Sequence, residues 1–495
     1  MSKTIKFLTL TFSEGLNVLV GFLFLPYLAR SLSLVEYGTY GQTILVISLL
    51  QGIFAFGLSK VIFAFLANEE FDQKEVFYAN LVSALILGLT TVVVLWLVNP
   101  LISFQFNNPS LEKLLPIYAC SLPFVMVATS LNSSLIFFEK VKESAVISVV
   151  VNLFKMGLVM AAIQFYDSLY LVFVALVAVE VIRTIASMIF IPKQIRNGLK
   201  IKPALSFLQI KIGWPLGIAT MLGTLIYSVD GYMVSALLDV KEYAIYRNGA
   251  FQIPFISSIY GAVTAILLPD VSKFFAKKDF KSILILKRKV ITNTALLIFP
   301  LVIFCIFFSK ALIITYLSDK YVASFPIFMV YNLVLLARFT SYDDLFIASN
   351  NNNRLPKIYF LTFLLNIILN YFLIIHLGSI GAAIASVISF YFLIIYLFKV
   401  GTGFVNIKAS EFFQITKLAL ALIISVVSSV FFYIISTWMN LNYYSLIFLF
   451  IIHCISVYHI FLKYNFIEFH LIENLIAKMG IKSKAYILFQ RIYGS

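Results

Sequence analysis

The chain has 495 residues, of which 61% are hydrophobic and only 12% charged, and its mean hydropathy is +0.99. A soluble globular chain carries about 25% charged residues, and a larger core does not remove the need for a wetted surface, so a soluble enzyme is excluded. The formal charge of +15 and pI near 9.4 come with no aromatic-interleaved basic module, so nucleic acid is not an expected partner; the charge reads as topological, facing anionic lipid headgroups.

Apolar runs of roughly 20 residues, enough to cross a bilayer as helix, recur along the whole chain. Hydropathy predicts spans at 5–28, 39–66, 77–98, 114–138, 144–164 and 168–191 in the first half. The second half supplies 213–238, 248–270, 289–309, 325–349, 356–375 and 380–400, and two more follow at 414–436 and 442–462. The first run contains Glu14, Asn17 and Pro26 and lacks a small-x-small cleavage pattern, so it reads as a retained span rather than a signal peptide. The spans at 213–238 and 325–349 carry the most polar residues. Pro26, Pro123, Pro254 and Pro300 lie in or near span ends, where kinked packing is expected. Cys120, Cys305 and Cys454 share no spacing and read as small buried hydrophobes, giving neither a disulfide framework nor a metal site. Beyond Lys463 the mixture of apolar and charged residues predicts a helix lying at the interface.

Charge orients these fourteen spans. With both termini cytoplasmic, the termini, the even-numbered connections and the span ends beside them hold 27 of the 37 Lys and Arg, and the outer connections hold six, as the positive-inside rule requires. One cytoplasmic connection carries Lys193, Arg196, Lys200, Lys202 and Lys211; another carries Lys273, Lys277, Lys278, Lys281, Lys287, Arg288 and Lys289. Glu36-Tyr37-Gly38-Thr39-Tyr40 recurs as Glu242-Tyr243-Ala244-Ile245-Tyr246 at an offset of 206 residues. Both copies lie on the outer side and open a helix, six spans apart, so a parallel duplication is expected, as in some transporters. The expected organisation is an all-α polytopic protein with six-helix lobes at 1–191 and 213–400, a cytoplasmic inter-lobe loop at 192–212, helices thirteen and fourteen within 401–462, and a cytoplasmic interfacial tail at 463–495.

Ionisable groups at membrane depth are the informative residues, because a charge there costs at least about 2.5–3.5 kcal/mol unless it faces protein or a wet cavity. Lys60 either snorkels or faces a cavity; Lys155 shares a polar stripe with Asn152. Glu180 and Arg183, three apart, either neutralise one another or line a lumen. Glu14 and Asp230 are carboxylates able to bind a cation, accept a proton or pair with a base. Arg338 is central in its span, with Asp343 and Asp344 nearer the cytoplasmic end as gating candidates. Asn366 and Asn370 form a stripe expected to glue helices together. With Arg30 and Arg247 at the outer mouth, Lys60, Lys155, Arg183 and Arg338 compose a basic interior suited to an anionic headgroup such as a pyrophosphate. The sequence contains no H-E-x-x-H, G-x-S-x-G or P-loop pattern and only four His, so no catalytic residue, nucleotide site or bound cofactor is expected.

Three stretches carry a family resemblance: Pro26-Tyr27-Leu28-Ala29-Arg30 through Tyr40; Gly213-Trp214-Pro215 through Asp230 to Glu242-Tyr243; and Asp344 through Asn353-Arg354, Asn366 and Asn370 to Leu377-Gly378 and Ile380-Gly381-Ala382-Ala383. Over about residues 1–460 the chain resembles the Wzx-type polysaccharide flippases, the O-antigen and exopolysaccharide translocases of the multidrug/oligosaccharidyl-lipid/polysaccharide exporter superfamily. The resemblance implies a two-lobed carrier in the bacterial inner membrane that flips a polyprenyl-pyrophosphate-linked glycan outward and delivers it to polymerase or ligase machinery. It makes Arg30, Lys60 and Arg247 candidates for the pyrophosphate-sugar portion, to which membrane depth adds Lys155, Arg183 and Arg338. Rocking between lobes is the expected mechanism, with Glu14 or Asp230 available for coupling to a proton or sodium gradient. The two additional spans resemble those of lipid II flippases. A cation-coupled drug or metabolite antiporter predicts an acidic, aromatic cavity instead, and a membrane scaffold predicts paired charges without a lumen.

Overall fold

The computed structural model describes residues 3–198, 200–253, 256–439 and 441–466. All regular elements among them are helical, and twelve stretches are long and apolar enough to cross a membrane. The expected spans at 213–238 and 248–270 are not among these twelve: the first lies almost wholly within α10 below, and the second only overlaps α12, which begins eight residues later. The chain divides into two compact units, Met1–Arg247 and Asn248–Ser495.

The first unit contains α1 (Lys3–Ser31), α2 (Leu34–Phe54), α3 (Leu58–Leu66), α4 (Gln73–Gln105), α5 (Ser110–Ala119), α6 (Leu122–Phe137), α7 (Val141–Tyr166), α8 (Leu169–Phe190), the single turn α9 (Lys193–Arg196), α10 (Pro203–Leu237) and most of α11 (Val240–Gly249). Two expected continuous spans are broken here. The second one parts between α2 and α3, where Phe56 and Gly57 take left-handed φ values of 45° and 65°. Glycine adopts that region without penalty and phenylalanine does not. The break is seated on α10: the Phe56 ring stacks on Trp214 at 5.6 Å, and a Cβ on Gly213 would come within 2.5 Å of the Phe56 carbonyl. The fourth span parts between α5 and α6. Pro123 therefore occupies the opening turn of a helix, where its missing N–H costs nothing, rather than bending one. Cys120 caps α5 at this break and is exposed, contrary to the buried position expected of it, because the chain turns there instead of continuing through the bundle.

The expected 192–212 loop is shorter than hydropathy implies, since α10 begins at Pro203. Its basic residues are pinned to the start of α4. Lys200 Nζ lies 2.9 Å from Asp72 and 3.6 Å from Glu75, and Lys202 Nζ lies 2.5 Å from Glu75. The Tyr78 hydroxyl also donates to the Arg196 carbonyl at 2.5 Å.

The second unit contains α12 (Ile256–Ala276), α13 (Phe280–Phe307), α14 (Ser309–Tyr316), α15 (Phe325–Asn332), α16 (Asp344–Ala348), α17 (Leu355–Leu377), α18 (Ser379–Gly403), α19 (Ile415–Ser436) and α20 (Tyr443–Lys463). Its core joins Ile291 and Phe299 of α13 to Phe346, Phe398, Ala421 and Phe461. The predicted span at 325–349 is not one helix. After α15 a 3-10 segment runs Leu333–Ala337, residues 338–343 are non-helical, and α16 starts at Asp344. A run from Arg338 to Asp344 that contains three charges and three hydroxyls favours side-chain pairing over a continuous apolar helix. Asn370 donates to the side chain and carbonyl of Asn366, 3.1 and 3.0 Å away on its own helix. Helices α19 and α20 are held to α13 by His453, whose Nε2 donates to the Pro300 carbonyl at 3.1 Å while Nδ1 lies 3.0 Å from the Ser428 hydroxyl. Pro26 and Pro300 lie inside α1 and α13. Pro254 and the tail beyond residue 466 lie outside the described residues.

Candidate functional site

Small polar side chains at helical spacing open a cavity inside the first unit. Helix α7 presents Ser144, Ser148 and Asn152 at intervals of four, α6 presents Thr129, Asn132 and Ser133, and α8 presents Arg183 and Ser187. With Ser13, Glu14 and Asn17 of α1 they enclose about 550 Å³. Each interval is close to a helical turn, so each set lies on one face, and in a bilayer such faces turn inward.

The cavity walls are cross-braced. Asn17 Nδ2 donates to Ser148 Oγ at 2.7 Å, and Asn152 Nδ2 donates to Asn17 Oδ1 at 2.7 Å. Ser144 Oγ donates to Asn132 Oδ1 at 2.5 Å. Arg183 reaches Glu180 on its own helix at 3.2 Å, and Lys155 is within electrostatic range of both. The contact joins Arg183 Nη1 to Glu180 Oε2 as an ion pair without hydrogen-bond geometry, and Arg183 Nε is buried without a hydrogen-bond partner.

The structure gathers some of the sequence candidates and separates others. Glu14 and Arg183 face the cavity, and Lys155 stands beside the Glu180–Arg183 pair. Lys60 is exposed on the first turn of α3, next to the cavity-lining Ser59, and Arg30 is exposed in the last turn of α1. Asp230 is buried on α10.

Arg247 is not a solvated mouth residue. Its guanidinium lies 5.9 Å from the Tyr37 ring centre and 5.7 Å from that of Tyr40, within electrostatic range of the Tyr37, Tyr40 and Tyr243 hydroxyls. The repeated Glu-Tyr motifs are thereby brought against each other. Gly38 and Gly41 permit the approach: a Cβ on Gly38 would collide with the Val240 carbonyl, and one on Gly41 would lie 2.8 Å from the Tyr243 ring. Both glutamates belong to helix starts. Ser33 and Glu36 close a capping box on α2, and the Glu242 amide donates to Asp239 Oδ1 at 2.8 Å. The Ser-x-x-Glu and Asp-x-x-Glu spacings at 33–36 and 239–242 are the signal that would have revealed this.

In the second unit Arg338 sits in the non-helical segment, donating to Gln252 Oε1 at 3.0 Å, with its guanidinium 5.8 and 5.2 Å from the Tyr260 and Phe390 rings. Lys287 was expected in a cytoplasmic loop but is fully buried, because α13 begins nine residues before the predicted span. Its Nζ lies 2.6 Å from Asp344 Oδ2 and 3.0 Å from the Ser341 carbonyl. Asp344 is thus a buried counter-ion, while Asp343 accepts from Ser341 Oγ at 2.8 Å. No group of three or more metal-ligating side chains occurs among the described residues.

The polysaccharide biosynthesis protein family matches residues 27–326, and the lipid II flippase MurJ family matches residues 214–454. No curated protein matches in sequence. Among solved structures, the lipid II flippase MurJ in an inward closed conformation superposes with a TM-score of 0.71 at 18% identity, covering 93% of this chain and 99% of that one. An inward-facing multidrug resistance MATE family transporter gives 0.63 at 13% identity, with 79% and 94% covered. A transporter of the same superfamily from Pyrococcus furiosus, described as having a binding pocket of reversed polarity, gives 0.52 at 13%, with 81% and 94% covered.

Proposed function

The chain belongs to the polysaccharide biosynthesis protein family, a multi-pass membrane protein related to the MurJ, MATE and Wzx-like transporters, and on that premise we propose that it is a flippase for polyprenyl-pyrophosphate-linked glycans. It moves the headgroup from the inner to the outer leaflet of the bacterial cytoplasmic membrane by alternating access, both termini remaining cytoplasmic, and passes the product to polymerase or ligase machinery. Two parallel six-helix repeats followed by two further helices, fourteen spans in all, complete this reading.

The observation that carries it is the polar cavity of about 550 Å³ among apolar helices. A scaffold has no use for unfilled polar space at membrane depth, where every such group is costly. A cationic drug is also poorly served, because the charges on and beside the walls include Arg183 and Lys155 as well as Glu14 and Glu180. Glu14, on the cavity wall, is the carboxylate we assign to coupling with a proton or sodium gradient.

A lipid II-type substrate is the second reading, favoured by the MurJ match over residues 214–454 and the near-complete coverage of that structure. The test is translocation in proteoliposomes holding either lipid II or a polyprenyl-pyrophosphate-linked polysaccharide repeat unit. Protein-dependent crossing of one lipid is the expected outcome and selects the substrate class. Crossing of neither, with and without imposed proton and sodium gradients, would refute the flippase reading.

A further inference from the structure

Resting on the flippase reading, we infer that the first-unit cavity is a subsite for the uncharged, hydroxyl-rich sugar units of the substrate and not for its pyrophosphate. The charges at the site cancel: Glu14 opposes Arg183 on the walls, and Glu180 opposes Lys155 just outside them. A pyrophosphate, carrying only acceptor oxygens and multiple negative charge, calls for surplus positive charge and donors. Here it would meet a carboxylate and hydroxyls whose acceptor capacity it could not use.

A sugar matches the remaining lining. Serine and threonine hydroxyls and asparagine amides each both donate and accept, as sugar hydroxyls do. Asn17 and Asn152 are fixed by their mutual hydrogen bond at 2.7 Å, so the wall is pre-formed. Arg183 and Glu14 on the walls add a charged donor and a charged acceptor. Ala128, Ala145 and Ile147 provide an apolar wall against which the C–H face of a ring can rest. At about 550 Å³ the space falls within the roughly 300–1,000 Å³ range of small-molecule sites.

The test uses full-length protein in lipid nanodiscs, with two kinds of probe: uncharged di- and trisaccharides of hexoses and N-acetylhexosamines, and bare polyprenyl pyrophosphate. At least one saccharide should bind the wild type and bind about tenfold more weakly to Asn132→Leu and to Thr129→Val, the scale of one lost buried hydrogen bond. Polyprenyl pyrophosphate should bind all three proteins alike. The inference is overturned if no saccharide binds the wild type, if both variants bind it as the wild type does, or if pyrophosphate binding falls in parallel. Should Asn132→Leu fail to fold, the near-isosteric Thr129→Val decides alone. Saccharide binding without translocation of any lipid-linked glycan would refute the flippase reading and leave the subsite standing; translocation with wild-type behaviour in both variants would do the reverse.

Discussion

Lys287 and Asp344 face each other where neither touches solvent, with 2.6 Å between Nζ and Oδ2. Such a pair adds little net stability over an apolar substitute, yet losing one member strands the other charge. Lys287→Met or Asp344→Leu alone should therefore lower unfolding free energy by about 3–5 kcal/mol, and the double variant should recover most of the loss. Thermal melts in detergent read both; equal losses in the single and double variants would show that packing, not charge, holds the site. Gly38 is constrained by space instead. Its neighbour is the Val240 carbonyl, a backbone atom that cannot rotate away, so Gly38→Ala should reduce folded yield sharply. Size-exclusion profiles measure this, and Gly15→Ala, with open space around its Cβ position, is the control.

At the scale of elements, breaks matter as much as spans. The interruptions after α2, α5 and α15 all occur where hydropathy reads one continuous apolar run, and irregular backbone at membrane depth must be covered by protein or line a cavity. The connection before α10 is clamped from outside the spans. The Lys200 ammonium beside Asp72, together with the Lys74 amide, holds the Asp72 carboxyl below its usual range, and the same contact raises the Lys200 ammonium above its own. The sign follows for each partner. Asp72 contributes to the clamp at pH above its unfolded carboxyl value, and the contribution is lost as pH falls through its lowered folded value. Lys200 contributes below its unfolded value, and that is lost as pH rises through its raised folded value. Both groups are largely solvated, so high salt should weaken the clamp as well. Hydrogen-exchange protection across 193–202, corrected for the intrinsic exchange rate at each pH, should fall in strong acid and in high salt relative to pH 7. Asp72→Asn should lower the protection at pH 7 and leave a smaller acid effect carried by Glu75; wild-type protection at pH 7 in that variant would discard the Asp72 clamp.

For the whole molecule, transport is expected to depend on the cavity charges as a set. Arg183→Ala and Lys155→Ala should each slow translocation of the lipid-linked glycan about tenfold, near the loss of one charge-assisted hydrogen bond, at unchanged protein level in proteoliposomes. Wild-type rates in both would remove these two residues from the site. Much of the fold was legible from the chain: apolar runs of bilayer length and the scarcity of charge leave helices crossing a membrane as the available structure. Part of the site was legible too, because Glu14, Lys155, Glu180 and Arg183 announce themselves as costly charges. Asn152 was legible beside Lys155, but the serines of α6 and α7 were not, since a hydroxyl inside a helix can satisfy itself on its own backbone and leaves little mark on hydropathy. Nor did the sequence reveal that Lys287 belongs with Asp344, 57 residues away, or that Arg247 lies among the tyrosines of two distant repeats. Apolar length and charge are local properties, and they determined the membrane-spanning helical class. Which polar faces meet, and so whether a charge is paired, caged or left facing a cavity, was decided only when the helices packed.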